Sequence, residues 1–135
     1  MEYRAVRCIL SSENCFLLAI HNNILPQTIG KWGLPGGRID NGEDFATTAQ
    51  REMCEEFGLS LTEWQDIGEY PYRGSLQKVL ATKYDGSRNL QYDRNEILNI
   101  AWYTFGDIQA MHNAGKMHTG FEFDAISKFL SLREL

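Results

Sequence analysis

Glu52, Glu55 and Glu56 lie close together in the stretch WGLPGGRIDNGEDFATTAQREMCEEFGL, which runs from Trp32 to Leu59. Carboxylates three and four residues apart share one face of a helix, and each like-charged pair destabilises it by about 0.2–0.5 kcal/mol unless a cation neutralises them. Their hard oxygens suit a hard divalent cation such as Mg2+, which keeps part of its water and bridges phosphate oxygens. Gly36 and Gly37, just ahead of that helix, expose backbone carbonyls that no side chain covers. Together these residue types point to a metal held against a small polyanion.

Two other readings of the stretch fail. GRIDNGED has a Gly-x4-Gly frame, but Glu43 occupies the place where a P-loop needs Lys. DNGED lacks the alternating ligands and the terminal Glu of an EF-hand. The formal net charge of −5 and the absence of any long Lys/Arg block exclude the footprint of a protein that binds bulk nucleic acid. An acidic chain handles a nucleotide readily when a divalent cation stands between the two.

The elements that position these carboxylates follow from patterning. The chain of 135 residues, 43% hydrophobic and 23% charged, has the length and composition of one domain. No apolar run reaches the roughly 20 residues of a membrane span, and MEYRAVRCIL does not resemble an export signal, so a cytoplasmic location is expected. Three cysteines without CxxC spacing argue against a disulfide framework or a zinc site, and Cys8 and Cys15 are expected to face each other, unbonded, across a hairpin. RAVRCIL and CFLLAIH read as the strands of that hairpin. Asn22 to Lys31 reads as loop, and Trp32 to Gly37 as the lead-in to the central helix. Asp44 is the expected N-cap of that helix and Gly58 its C′ stop, with Ala46, Ala49, Met53 and Phe57 as its apolar stripe. EWQDIGEYPYRG and SLQKVLATKYDG predict a second pair of strands, GSRNLQYDRNE a polar loop, and ILNIAWYTF a further strand. FGDIQAMHNAGKM predicts a short helix and turn, and Phe121, Ala125, Phe129 and Leu132 mark a terminal helix.

The spacing Gly37, five residues, Glu43, seven residues, Arg51, Glu52, Met53, one residue, Glu55, Glu56, one residue, Gly58, Leu59 resembles the signature of the Nudix hydrolase family without a departure. The resemblance extends to Trp32–Gly36 and CFLLAI before the box, and to NEILNIAWYTF after it.

It implies an α/β class fold, the Nudix-type α/β/α sandwich with a mixed β-sheet between helices, formed by residues 1–135 as a single domain. The implied activity is metal-dependent hydrolysis of a pyrophosphate bond in a nucleoside triphosphate, or in a nucleoside diphosphate linked to another moiety. A nucleotide-binding sensor or interaction module without turnover is the alternative. Mg2+ is the implied cofactor, with Mn2+ as a substitute. Gly36, Glu52, Glu55, Glu56 and Glu96 are the expected metal ligands. The four glutamates are also the expected catalytic residues, with Glu52 able to orient or deprotonate water. Glu96 enters because relatives carry an acidic residue about six positions before a Trp, here Trp102, and Asp93 is its competitor. His21, Trp32 and Arg38 are the substrate-binding candidates. Tyr70 and Tyr72 could stack on a base, Glu43 and Arg51 serve architecture, and His112 and His118 read as surface. Pro71 lies about twelve residues after Leu59, with Gly74 nearer the place where ADP-ribose enzymes carry a proline, which weakens that substrate. The expected partner is a small nucleotide, with no membrane and no bulk nucleic acid, and a homodimer is left open.

Overall fold

Three aliphatic runs divide their side chains between two buried clusters. Val6, Cys8 and Leu10 join one and Ile9 the other; Leu17 and Ala19 separate in the same way from Phe16 and Leu18, and Leu80 from Val79 and Ala81. Successive side chains of an extended chain point to opposite sides, so these runs are strands of a sheet covered on both faces.

The computed structural model describes residues 1–22 and 25–133. Its strands are β1 (Tyr3–Ser12), β2 (Cys15–His21), β3 (Trp32–Gly33), β4 (Gly36–Arg38), β5 (Gln65–Tyr72), β6 (Ser75–Lys83) and β7 (Ile97–Thr104). Its helices are α1 (Phe45–Phe57), α2 (Phe105–Asn113) and α3 (Glu122–Arg133). Ala49, Met53 and Phe57 of α1 pack into the cluster with Val6, Cys8 and Leu10. Ile108 of α2 and Ala125, Ile126 and Phe129 of α3 pack into the cluster with Ile9. The mixed sheet is therefore sandwiched, α1 on one face and α2 with α3 on the other, as the sequence predicts.

β1 runs parallel to β6, and the remaining pairings are antiparallel. β1 and β2 pair only near their turn, through Ser11 with Phe16 and Ser12 with Cys15. Beyond that point β1 takes β4 as its neighbour, Arg7 opposite Gly36, while β2 takes β3 on the same side and β7 on the other. The segment 32–38 thus fills the wedge between two diverging strands, and the Cys8 N–H donating to the Pro35 carbonyl (2.8 Å) ties it there.

The central helix starts and stops as expected. The Asp44 carboxylate accepts from the Thr47 N–H, and Gly58, in the left-handed conformation, donates to the Cys54 carbonyl. The β5–β6 hairpin, β7 and both later helices also lie where the patterns place them. Four expectations change. Trp32–Gly37 forms two short strands instead of a plain lead-in, because the diverging β1 and β2 offer it open ladder edges. Cys15 pairs with Ser12, so the hairpin register separates it from Cys8; all three thiols are free. Ala46 is exposed, and Thr48 and Glu56 are buried on α1 beside Ala49, Met53 and Phe57. His112 is half-buried, its ring stacked on Phe123 at 5.2 Å. Within the expected loop from Asn22 to Lys31, Pro26–Thr28 form one 3-10 turn, and Asn23 and Ile24 lie outside the described residues. Among the described residues no helix is long and apolar enough to cross a membrane.

Candidate functional site

The start of α1 is built around one arginine. Arg51 donates from Nε and Nη2 to the two carboxylate oxygens of Glu43 at 2.7 and 2.9 Å, a bidentate pair, and from Nη2 to the Arg38 carbonyl at 2.9 Å. Glu43 also accepts from the Asp40 N–H and the Thr48 hydroxyl. The Arg51 guanidinium, with these bonds, holds the Glu43 carboxyl down to about 2. Arg51 and Glu43 are therefore architectural, as expected, and they fasten the 38–44 loop to the helix. Arg51 does more than the sequence suggested, because its Nη1 also reaches Glu52 at 3.0 Å and Glu55 at 3.3 Å. Part of the countercharge for the glutamate cluster is thus intrinsic.

Glu56 receives none of it. Only 5% exposed, its carboxylate accepts the Gly36 N–H at 3.2 Å and faces Glu52, Glu96 and, with opposite sign, Arg7. Burial first, and the Glu52 charge second, push its pKa from the ordinary 4.5 up to about 8. Glu52 is shifted upward as well, chiefly by burial, against the pull of Arg51.

The structure brings the four candidate glutamates together. Glu52, Glu55, Glu56, Asp93 and Glu96 line a cleft of about 370 Å³. The 93–96 turn is anchored to the end of α1 by the Asp93 N–H donating to the Glu56 carbonyl at 2.8 Å, and the Glu96 carbonyl accepts from the Asn22 N–H. Asp93 spends its side chain locally, accepting the Asn95 N–H at 2.9 Å. Among the described residues Glu96 makes no such local bond, and it lines both this cleft and its neighbour.

The neighbouring cleft, about 320 Å³, is lined by Arg7, His21, Arg38 and His118 together with Gly36, Gly37 and the glutamates Glu52, Glu56 and Glu96. Arg38 and His21, two of the substrate-binding candidates, both lie on its wall. Trp32 is not among its lining residues; its ring packs edge-on against Tyr103 at 5.2 Å, and its carbonyl accepts the His118 N–H at 2.7 Å. Tyr70 stacks on Phe121, and Tyr72 meets the edge of His118. His118, expected at the surface, is half-buried and sits 5.5 Å from His21, ring to ring. Its turn is fixed by buried Glu122, whose carboxylate accepts the Thr119 and Gly120 N–H groups at 2.8 Å each. Burial lowers His21 to about 3 and His118 to about 4, so both rings are neutral near pH 7. The charged donors of the cleft are the two arginines.

Sequence reasoning missed Arg7 and His118. A charged residue amid the apolar run RAVRCIL was the available signal for Arg7; nothing local marks His118.

The donor set fits a hard divalent cation. Carboxylate oxygens and the Gly36 carbonyl are ligands that Mg2+ accepts, and a buried Glu56 beside Glu52 needs either a proton or a cation. Gly37 is required for this geometry, since a Cβ there would stand 2.5 Å from the Glu52 carboxyl carbon. Among the described residues, no three acidic, His or Cys side chains already converge as a closed ligand cage, and Glu52 and Glu55 are each paired with Arg51.

A family model described as NUDIX domain matches residues 1–121. An RNA pyrophosphohydrolase of Erythrobacter litoralis is 30% identical over 116 residues, which cover 84% of this chain and 71% of that protein. The NAD-capped RNA hydrolase NudC of Mycobacterium tuberculosis is 27% identical over 93 residues, covering 67% of this chain; the match spans only 30% of that longer protein. Among solved structures, a MutT protein from Methanosarcina mazei Go1 superposes with a TM-score of 0.78 at 20% identity, covering 99% of this chain and 97% of that one, a likeness of fold alone.

Proposed function

The chain belongs to the Nudix family, and from that membership we propose that it is a metal-dependent pyrophosphohydrolase. Its substrate on this reading is a nucleoside triphosphate or a nucleoside diphosphate linked to another moiety, and residues 1–135 act as one catalytic domain. The observation that carries the reading is the meeting of Glu52, Glu56 and Glu96 with Gly36, Gly37 and Arg7 in one cleft. The names of the relatives, an RNA pyrophosphohydrolase and an NAD-capped RNA hydrolase, agree with chemistry at a phosphoric anhydride.

Gly36, Glu52, Glu55, Glu56 and Glu96 would hold Mg2+, or Mn2+ in its place. When bound, the metal supplies charge neutralisation at the attacked phosphate and a more acidic water. The oxygen of a water forms a bond to one phosphorus while the bridging P–O bond breaks, and the departing phosphate leaves with the bridging oxygen. Glu52 or Glu96 accepts the proton that the water gives up, each being a carboxylate on the cleft wall. Arg51 keeps Glu52 in place from outside the cleft, and Arg38 and His21 border the path of the nucleotide. Gly37 keeps the wall thin enough for the Glu52 carboxylate to lie against the backbone.

A binding-only reading draws on one observation, the ion pairs of Arg51 with Glu52 and Glu55, which satisfy two of the box glutamates without metal. Dialysed protein incubated with a nucleotide panel and magnesium, with products identified by phosphorus NMR, separates the two. Hydrolysis yields a monophosphate with pyrophosphate from a triphosphate, or with a second phosphate ester from a linked diphosphate. Tight metal-dependent binding without products would establish the sensor reading instead.

A further inference from the structure

The nucleotide-side cleft holds one cation that neither the box nor the helix explains. Arg7 leaves β1 between Val6 and Cys8, whose side chains pack toward α1, so it belongs to the face of α2 and α3. Directly opposite it on β4 is Gly36. With no side chain at Gly36 or Gly37, the guanidinium from one face and Glu52 and Glu56 of α1 from the other line the same cleft. Arg7 is held at two points. Its Nε donates to Oε1 of buried Gln77 at 3.2 Å, and its Nη1 donates to the Gly36 carbonyl at 3.2 Å. Both acceptors are neutral, and among the described residues no carboxylate lies within ion-pair distance of Arg7.

A half-buried guanidinium oriented by two neutral acceptors keeps three of its five N–H groups for something else. Planar, always charged and forked, it matches a phosphoryl group better than any other small anion a nucleotide carries. Its position decides which part of the nucleotide that is. A group bonded to the Gly36 carbonyl neighbours whatever that carbonyl helps to hold, and so lies at the diphosphate end of the cleft. Of the two histidine rings that share the cleft, His118 meets the edge of Tyr72.

We propose that Arg7, oriented by Gln77 and the Gly36 carbonyl, is a substrate-binding residue that clamps a phosphoryl group of the diphosphate. The assignment rests on reading this cleft as the metal and diphosphate site. It makes Arg7 the fixed positive charge on the side of the phosphates opposite α1. A positive charge in that place has two effects of opposite sign: it draws the anion in and it opposes the metal.

Both effects are measurable without turnover. The probes are Mn2+ alone, followed by electron paramagnetic resonance, and methylenediphosphonate at saturating Mg2+, followed by calorimetry; the second carries no base and cannot be hydrolysed. Arg7→Gln should weaken methylenediphosphonate about tenfold or more while tightening Mn2+ several-fold, and Arg7→Lys should recover most of the diphosphonate affinity. Gln77→Leu, which keeps the charge and removes its tether, should weaken the diphosphonate several-fold with Mn2+ unchanged. Diphosphonate affinity within twofold of wild type in Arg7→Gln would overturn the assignment. So would a loss confined to adenosine monophosphate, which would place Arg7 at the base, or parallel loosening of both probes in Arg7→Lys as well, which would make Arg7 structural. Wild-type protein that binds both probes but turns over no nucleotide would sink the proposed activity and leave the assignment of Arg7 standing.

Discussion

Replacing Gly37 by Ala should separate the catalytic geometry from the stability of the fold. A Cβ at this position would lie 2.5 Å from Cδ and Oε1 of Glu52 and 2.7 Å from Oε2, against 3.4 Å for ordinary contact, so the carboxyl must retreat by about 0.9 Å. The obstruction is the end of a flexible side chain, and the Ala substitution itself restricts the unfolded chain, so stability should change by no more than about 1 kcal/mol. Misplacing a reacting group by about 1 Å can lower a rate by about a hundredfold, and that is the expected loss in kcat/KM for Mg2+-dependent hydrolysis. Gly36→Ala is the control. Its Cβ would meet the Val6 carbonyl oxygen at 2.1 Å, with a backbone φ of +138° that only glycine adopts readily, so this variant should lose about 3 kcal/mol or more of stability. Steady-state kinetics with the preferred nucleotide and thermal denaturation of both variants make the comparison. Gly37→Ala with near wild-type turnover, or with a stability loss equal to that of Gly36→Ala, would refute the claim that the glycine exists to seat Glu52.

Two further outcomes follow from the carboxylates. The metal-free protein should lose stability as pH rises from 4.5 toward 8, because Glu56 is raised to about 8 and its burial favours the protonated form present at low pH. The full loss should be about 5 kcal/mol. Glu56→Gln should flatten the profile and raise the melting temperature at pH 8 while cutting turnover about a hundredfold or more, and a variant as pH-sensitive as wild type would remove Glu56 as the cause. Glu96→Gln should lower kcat about tenfold or more with stability within about 0.5 kcal/mol; Asp93→Asn should leave kcat close to wild type and instead loosen the turn that its carboxylate caps. The reverse ranking in kcat would transfer the role to Asp93.

Much of α1 was legible because its determinants are local. Asp44 and Gly58 signal its ends through backbone chemistry within four residues, and the glutamate spacing is set by the helix repeat. The sandwich was legible through the resemblance, and the strands through runs such as CFLLAIH and ILNIAWYT. What was not legible depends on register and on long-range pairing. β1 lies parallel to β6, with Lys78 opposite Val6, so Gln77 reaches Arg7 across seventy positions of sequence. His118 enters the cleft only because Glu122 folds its turn and Trp32 holds its N–H. Ala46 fits an apolar stripe by spacing, yet in the first turn of α1 it faces solvent. The cluster looked unneutralised because Arg51 precedes Glu52 directly in sequence; only the helix geometry shows its guanidinium reaching Glu43, Glu52 and Glu55 at once.

On the proposed mechanism the box carboxylates hold a divalent cation on which hydrolysis depends. Turnover of the preferred nucleotide by protein freed of metal with chelator, then titrated with Mg2+ and separately with Mn2+, tests it most directly. Expected are no turnover in chelator, saturable recovery with either ion, and a Glu56→Gln variant that stays folded yet is not rescued. Full activity in excess chelator, or normal recovery in Glu56→Gln, would contradict it.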